Sequence, residues 1–185
     1  MNIEQTPLGY ELRTPHLTVL MGNINSRYDA LKEHYTQFNF VRLKQIHSDA
    51  VAKSDDPNLD YQVLADAHFT SQKNLALCVI TADCVPLFLF DPVTELIAGV
   101  HAGWRGVATR IIPKTIQAMA TEGVKAENLQ VIIGPHIQMN SFQVDVDVRD
   151  QIISSLGPLS TTERSLLIHE QENKKSLVDL NLIVK

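Results

Sequence analysis

The chain has 185 residues, 44% apolar and 20% charged, with 16 basic against 21 acidic side chains and a net charge of −5. Those proportions suit one soluble globular domain and exclude a disordered, collagenous or wholly coiled-coil chain. The longest basic run is Lys174-Lys175, so nucleic-acid binding through the phosphate backbone is not expected.

The polar start, MNIEQTPLGY, lacks the basic and apolar parts of a signal peptide. The longest apolar region, residues 75–90, contains Asp83 and Pro86, which a membrane span would not accommodate. Only two cysteines occur, Cys78 and Cys84, and they form no CxxC pair. A secreted scaffold usually carries more. The expectation is a cytoplasmic protein with free thiols and no membrane partner.

In chain order, a short strand is expected over residues 40–46. Residues 53–61 read as a polar loop, and residues 75–81 as an apolar strand. Residues 85–90 and 96–101 are two runs of equal length around Asp91-Pro92-Val93-Thr94, which suits a turn, so a hairpin is the economical reading. From 106 to 120 the apolar period becomes helical, with Pro113 in conflict: either it kinks the helix or the helix begins nearer to it. A buried strand over 129–133, a short helix over 147–156 and a loose segment over 157–162 follow. Strands and helices mix without strict alternation, so the fold class is α+β.

The hairpin carries the first chemical signal. Depending on loop length, His101 faces Cys84, Val85 or Pro86. In each case a thiol and an imidazole meet at the open end, where opposed Cβ atoms lie roughly 4.5–5.5 Å apart. They could share a metal ion or a proton. Asp83 precedes Cys84, and Ala102-Gly103-Trp104-Arg105-Gly106 follows His101. Arg105 at a strand-to-helix junction suits an anion, although a surface ion pair would need the same residue. His47 ends the first strand, and His136 follows Gly134-Pro135 in a loop. One cysteine and two histidines would leave a fourth zinc position open, as catalytic sites do. The alternative is a Cys–His nucleophile pair. Cys78, inside an apolar run, reads as inert core.

Four segments, QIHSDAV, TADCVPLFLFDP, GVHAGWRGVATRII and IGPHIQMNSFQV, resemble in order and spacing the signature blocks of the laccase-domain or polyphenol oxidase family. Its members are also described as purine nucleoside phosphorylases and peptidoglycan editing factors. The resemblance implies an α+β layered sandwich like the catalytic domain of cytotoxic necrotising factors. It implies zinc ligands at His47, Cys84 and His101, with copper the less favoured metal. It also implies phosphorolysis of purine nucleosides together with adenosine deamination. Arg105 would hold phosphate, with Lys44 and Arg110 in reserve, His136 would line the same cleft, and Asp83 would move a proton. Three further readings stand beside this one: a Cys–His hydrolase or deamidase, a copper polyphenol oxidase, and a catalytically impaired binding or peptidoglycan-editing protein.

The chain departs from the family pattern at residues 20–26 and at Ser141-Phe142. Members also continue beyond the segment matching Val178-Asp179-Leu180. A single domain over 1–185 is expected, without the C-terminal part of the family domain. An uncovered sheet edge would then allow a homodimer.

Overall fold

The computed structural model describes residues 2–171 and 175–184. An antiparallel meander of β1 (Asn2–Thr6), β2 (Gly9–Arg13) and β3 (Thr18–Gly22) comes first. Next are α1 (Tyr28–His34), β4 (Asn39–Arg42), β5 (Val51–Lys53), β6 (Ala67–Thr70) and β7 (Leu75–Cys78). The hairpin strands β8 (Val85–Asp91) and β9 (Leu96–Ala102) lead into α2 (Trp104–Ala108) and α3 (Ile111–Ala120). The rest comprises β10 (Gln130–Ile133), β11 (Gln143–Asp145), α4 (Val146–Ser154), α5 (Thr161–Leu167), β12 (Ile168–Glu170), β13 (Lys175–Val178) and α6 (Leu180–Ile183). The α+β mixture expected from the sequence is present.

The centre is a five-stranded sheet in the order β10-β8-β9-β6-β5, with only β5 and β6 parallel. Alternation along its strands sends side chains to opposite faces. Val85, Leu87, Leu89, Val100 and Ala67 join Val107, Ile111 and Met119 of the helices and Ile152 of α4 in the main core. The other face carries Pro86, Phe88, His68 and His101, and is partly covered by the parallel pair β4–β7. A second cluster of Leu8, Tyr35 and Phe40 holds the meander against α1, and the Tyr35 hydroxyl donates to the buried Glu11 carboxylate. Between these layers lies a cleft of about 570 Å³, one end of which is bounded by Thr81, Ala82 and Pro86.

The hairpin loop has four residues, Pro92 to Glu95, because Asp91 pairs with Leu96. Asp91 is fully buried and accepts hydrogen bonds from Val93 N–H and the Thr94 hydroxyl, both at 2.9 Å. His101 is consequently opposite Pro86, the longest-loop alternative, and Cys84 is its diagonal neighbour.

Four expected elements need correction. The first strand ends at Arg42 rather than at 46, which leaves His47 in a loop, and the segment expected to be loose over 157–162 contains the start of α5. The apolar strand ends at Cys78 rather than at 81. The helix expected over 106–120 is two helices. A proline inside a continuous helix clashes with the preceding turn and lacks its N–H. The chain breaks at Thr109, and Arg110 takes a left-handed conformation with φ 67°. Pro113 then falls in the first turn of α3, where no N–H donor is needed.

Burial of His68 has a consequence for acid stability. Its side chain is fully buried, Nδ1 is 3.2 Å from Ser54 Oγ, and Nε2 has no partner among the described residues. Burial pushes the imidazole down from 6.5 to about 4, so the folded state resists a proton that the unfolded chain accepts. Stability should be intact above pH 6.5 and fall as the pH drops towards 4, by about 3 kcal/mol in the limit. Denaturant titrations across that window, compared with His68→Leu, should show the wild type losing more; parallel pH curves would contradict this.

Candidate metal centre

His47, Cys84 and His101 come from three separate places and meet at the open end of the hairpin. His101 is near the end of β9, Cys84 immediately precedes β8, and His47 sits in the loop between β4 and β5. One potential ligand atom from each lies within 4.8 Å of the others. The two imidazole rings are edge to face, with centroids 4.8 Å apart. Zinc bonds of about 2.0–2.3 Å require ligand atoms roughly 3–4 Å apart, so small side-chain rotations would close the set. His101 is 3% exposed, whereas His47 is open to solvent, leaving an approach for a fourth ligand.

The local chain is shaped around this cluster. Gly103 follows His101 on the same side of the sheet. A Cβ there would lie 3.2 Å from Cys84 Sγ, 3.2 Å from His47 Cδ2 and 3.8 Å from His101 Cε1. The absent side chain at Gly103 is the space that the three side chains share. A Cβ at Gly106 in α2 would lie 2.9 Å from the Ser48 carbonyl oxygen, so α2 packs directly against the loop that carries His47.

Asp66, which sequence spacing did not single out, is fully buried beneath the cluster. Its carboxylate accepts hydrogen bonds from the 46–48 backbone, the Ser48 hydroxyl and His101 Nδ1. Burial pushes its carboxyl up, but the bonds from His101, Ser48 and Ile46 outweigh that and hold it below the usual carboxylate range. The Cys84 thiol is pushed up by burial first and then by the negative charges of Asp83 and Asp66. A thiol held protonated this way is a weak nucleophile until a cation neutralises its surroundings.

The other sequence-derived residues are placed less uniformly. Asp83 is exposed beside Cys84, and its carbonyl accepts Ile137 N–H at 2.9 Å. Arg105 is exposed two residues after Gly103, with its guanidinium 4.4 Å over the Trp104 ring and no ion pair among the described residues. Lys44 is exposed three residues before His47, and Arg110 is exposed at the joint between α2 and α3. Cys78 is distant in role: burial pushes its thiol up to about 12.

His136 has a structural task. Gly134 donates to the Pro86 carbonyl at 2.9 Å, continuing the β10–β8 ladder, but Pro86 has no N–H to return. His136 Nδ1 donates instead to the Gly134 carbonyl at 2.8 Å. The loop containing His136 is thereby held alongside residues 83–86.

The profile of the family described as multi-copper polyphenol oxidoreductase laccase matches residues 20–185. A purine nucleoside phosphorylase of Rickettsia conorii is 30% identical over 156 residues, which is 84% of this chain and 62% of the relative. A purine nucleoside phosphorylase of Clostridium acetobutylicum is 39% identical over 117 residues, covering 62% of this chain and 48% of the relative. Crystal structures of a DUF152 protein from Neisseria meningitidis and of YlmD from Geobacillus stearothermophilus superpose with TM-scores of 0.73 and 0.72, at 27% and 26% identity. They cover 88% and 83% of this chain, and 64% and 60% of the respective relatives. The chain thus spans about half to two thirds of the length of these relatives. With a match running over nearly all of its length, and with the Cys84–His101 hairpin and His47 loop inside the matched region, the chain belongs to the multi-copper polyphenol oxidoreductase laccase family.

Proposed function

We propose that this chain carries the metal centre of a zinc-dependent purine nucleoside phosphorylase that also deaminates adenosine. The observation that carries the reading is the convergence of His47, Cys84 and His101 within 4.8 Å. One thiolate and two imidazoles suit zinc. A bound divalent cation would supply Lewis acidity at the open end of the hairpin. The names of the Rickettsia and Clostridium relatives add purine nucleosides and phosphate as the substrate class.

The chain's own residues divide the remaining work. Arg105, charged and without an ion pair among the described residues, holds phosphate as it attacks C1′ and the bond to the purine nitrogen breaks. Asp83, beside Cys84, moves the proton that the leaving group or attacking water requires. Lys44 and Arg110 add positive charge near the approach, and the loop of His136 walls one side. The neighbouring cleft falls within the usual range of small-molecule sites and would take the base. Its end at Ala82 and Pro86 adjoins Cys84. The outer edge of β10 has no strand partner among the described residues, and a homodimer would form there. Two free cysteines fit a reducing, cytoplasmic setting.

One observation favours a second reading. Asp66, His101 and Cys84 form a carboxylate–imidazole–thiol series of the kind cysteine hydrolases use, in keeping with the resemblance to cytotoxic necrotising factors. The raised thiol favours the metal reading instead.

The two separate by product analysis. Zinc-loaded protein given adenosine and phosphate should yield adenine and ribose 1-phosphate, and without phosphate inosine and ammonia. Turnover that needs no metal and is abolished by alkylation would replace the first reading with the second. Stoichiometric metal with no product from any purine nucleoside would leave a binding protein.

A further inference from the structure

We propose that Asp66 is the positioning residue of the metal centre: it sets the tautomer of His101 and the place of His47 through one shared oxygen. The inference rests on the metal reading for its purpose, but its geometry is a property of the protein alone. Oδ1 of Asp66 accepts from His47 N–H at 2.9 Å and from His101 Nδ1 at 2.8 Å. Oδ2 accepts from Ser48 N–H and the Ser48 hydroxyl, both at 2.7 Å, and from Ile46 N–H at 3.2 Å. The Asp66 backbone carbonyl takes His101 N–H at 2.7 Å. Five donors therefore converge on a carboxylate with no solvent exposure.

A carboxylate is an acceptor only. The proton of neutral His101 must accordingly sit on Nδ1, and Nε2 is left as the lone pair that a metal can take. The same carboxylate gathers three successive backbone N–H groups and so holds His47 in the left-handed conformation, φ 57°. That conformation disfavours a non-glycine residue, and the charge-assisted hydrogen bonds from three successive N–H groups offset the cost. Positioning of the two histidines is consequently linked. A change at Asp66 disturbs both, although Asp66 is not itself a ligand in this arrangement.

Asp66→Asn keeps the shape and replaces one of the two acceptor oxygens with an NH2 donor. With its amide NH2 in place of Oδ2, it confronts the N–H groups of Ser48 and Ile46. With NH2 in place of Oδ1, it confronts His47 N–H and forces His101 to accept at Nδ1, which moves the imidazole proton to Nε2. Either arrangement should lower zinc affinity by about 10–100-fold, the usual cost of losing such a partner.

The test reads both consequences. Long-range 1H–15N correlation spectra of metal-free wild type should show His101 protonated at Nδ1. Competition with a chelating dye should show the affinity loss in Asp66→Asn. Ser48→Ala, which deletes one donor to Oδ2 and leaves His101 alone, should retain the wild-type His101 tautomer. Wild-type His101 protonated at Nε2 would overturn the inference even if Asp66→Asn failed to fold. So would a folded Asp66→Asn with unchanged tautomer and zinc affinity within twofold. Wild type that binds no zinc, yet shows the Nδ1 tautomer and loses it in Asp66→Asn, would sink the metal reading and leave Asp66 as the positioning residue.

Discussion

Cys84→Ser should bind zinc more than 100-fold more weakly than the wild type and should lose all zinc-dependent nucleoside turnover. The thiolate is the only negatively charged member of the set, and a serine hydroxyl remains protonated and neutral at physiological pH. The expected loss exceeds the 10–100-fold seen when a second-layer partner is removed. The substitution should leave the fold intact. Cys84 precedes β8 on the face opposite the main core of Val85, Leu87 and Leu89, and oxygen for sulfur leaves only a slight void. Metal content after dialysis, circular dichroism and product analysis check the three parts. Retained stoichiometric zinc would remove Cys84 from the ligand set. Zinc binding by the wild type should also weaken at acid pH, because the thiol and both imidazoles must give up protons to coordinate.

Arg105→Ala should lower phosphorolysis about 100-fold in kcat/KM, equivalent to about 2.7 kcal/mol of transition-state stabilisation. Only phosphorolysis uses phosphate as the nucleophile, so deamination of adenosine should change by no more than about threefold in the absence of a phosphate role. The arginine is exposed and rests on Trp104, a contact worth about 0.5–1 kcal/mol at an exposed site, so unfolding should shift little. Equal losses in both reactions would make Arg105 a general substrate clamp.

Sequence legibility followed the range over which each feature is encoded. The hairpin is local: two apolar runs flank a proline turn, and Asp91 bonds Val93 and Thr94 within the same turn. Cys84 and His101 are consequently readable together from the sequence. His47 is a candidate from its place after the first strand, but only the family resemblance ties it to that pair, since the loop that carries it is placed by Asp66, whose partners lie far along the chain. Nothing in Leu64-Ala65-Asp66-Ala67 marks that aspartate from its neighbours. The meander of β1 to β3 gives no sequence signal, because its strands are short and much of β1 is exposed, leaving no apolar stripe. The start of α5 is legible in the sequence. Ser160 and Glu163 form a capping box, the S-x-x-E signal of a helix N-terminus, within a segment read as loose chain. Pro113 stated the conflict correctly, but only the left-handed turn at Arg110 resolved it.

The scattered origin of the three candidate ligands bears on the order of events in folding. His47 lies between β4 and β5, and His101 is on β9. The two meet only after β6 has joined the parallel β5 on one side and the antiparallel β9 on the other. Closing such distant segments is slow and comes at an entropic cost before contacts reward it. An early, partly collapsed chain therefore offers a cation one or two side chains at most. The stabilising energy of a bound ion would accrue once the central sheet is complete, where it would retard unfolding rather than guide the search for the native state. The lifetime of the folded chain, more than the speed of its formation, is what a metal held there would govern.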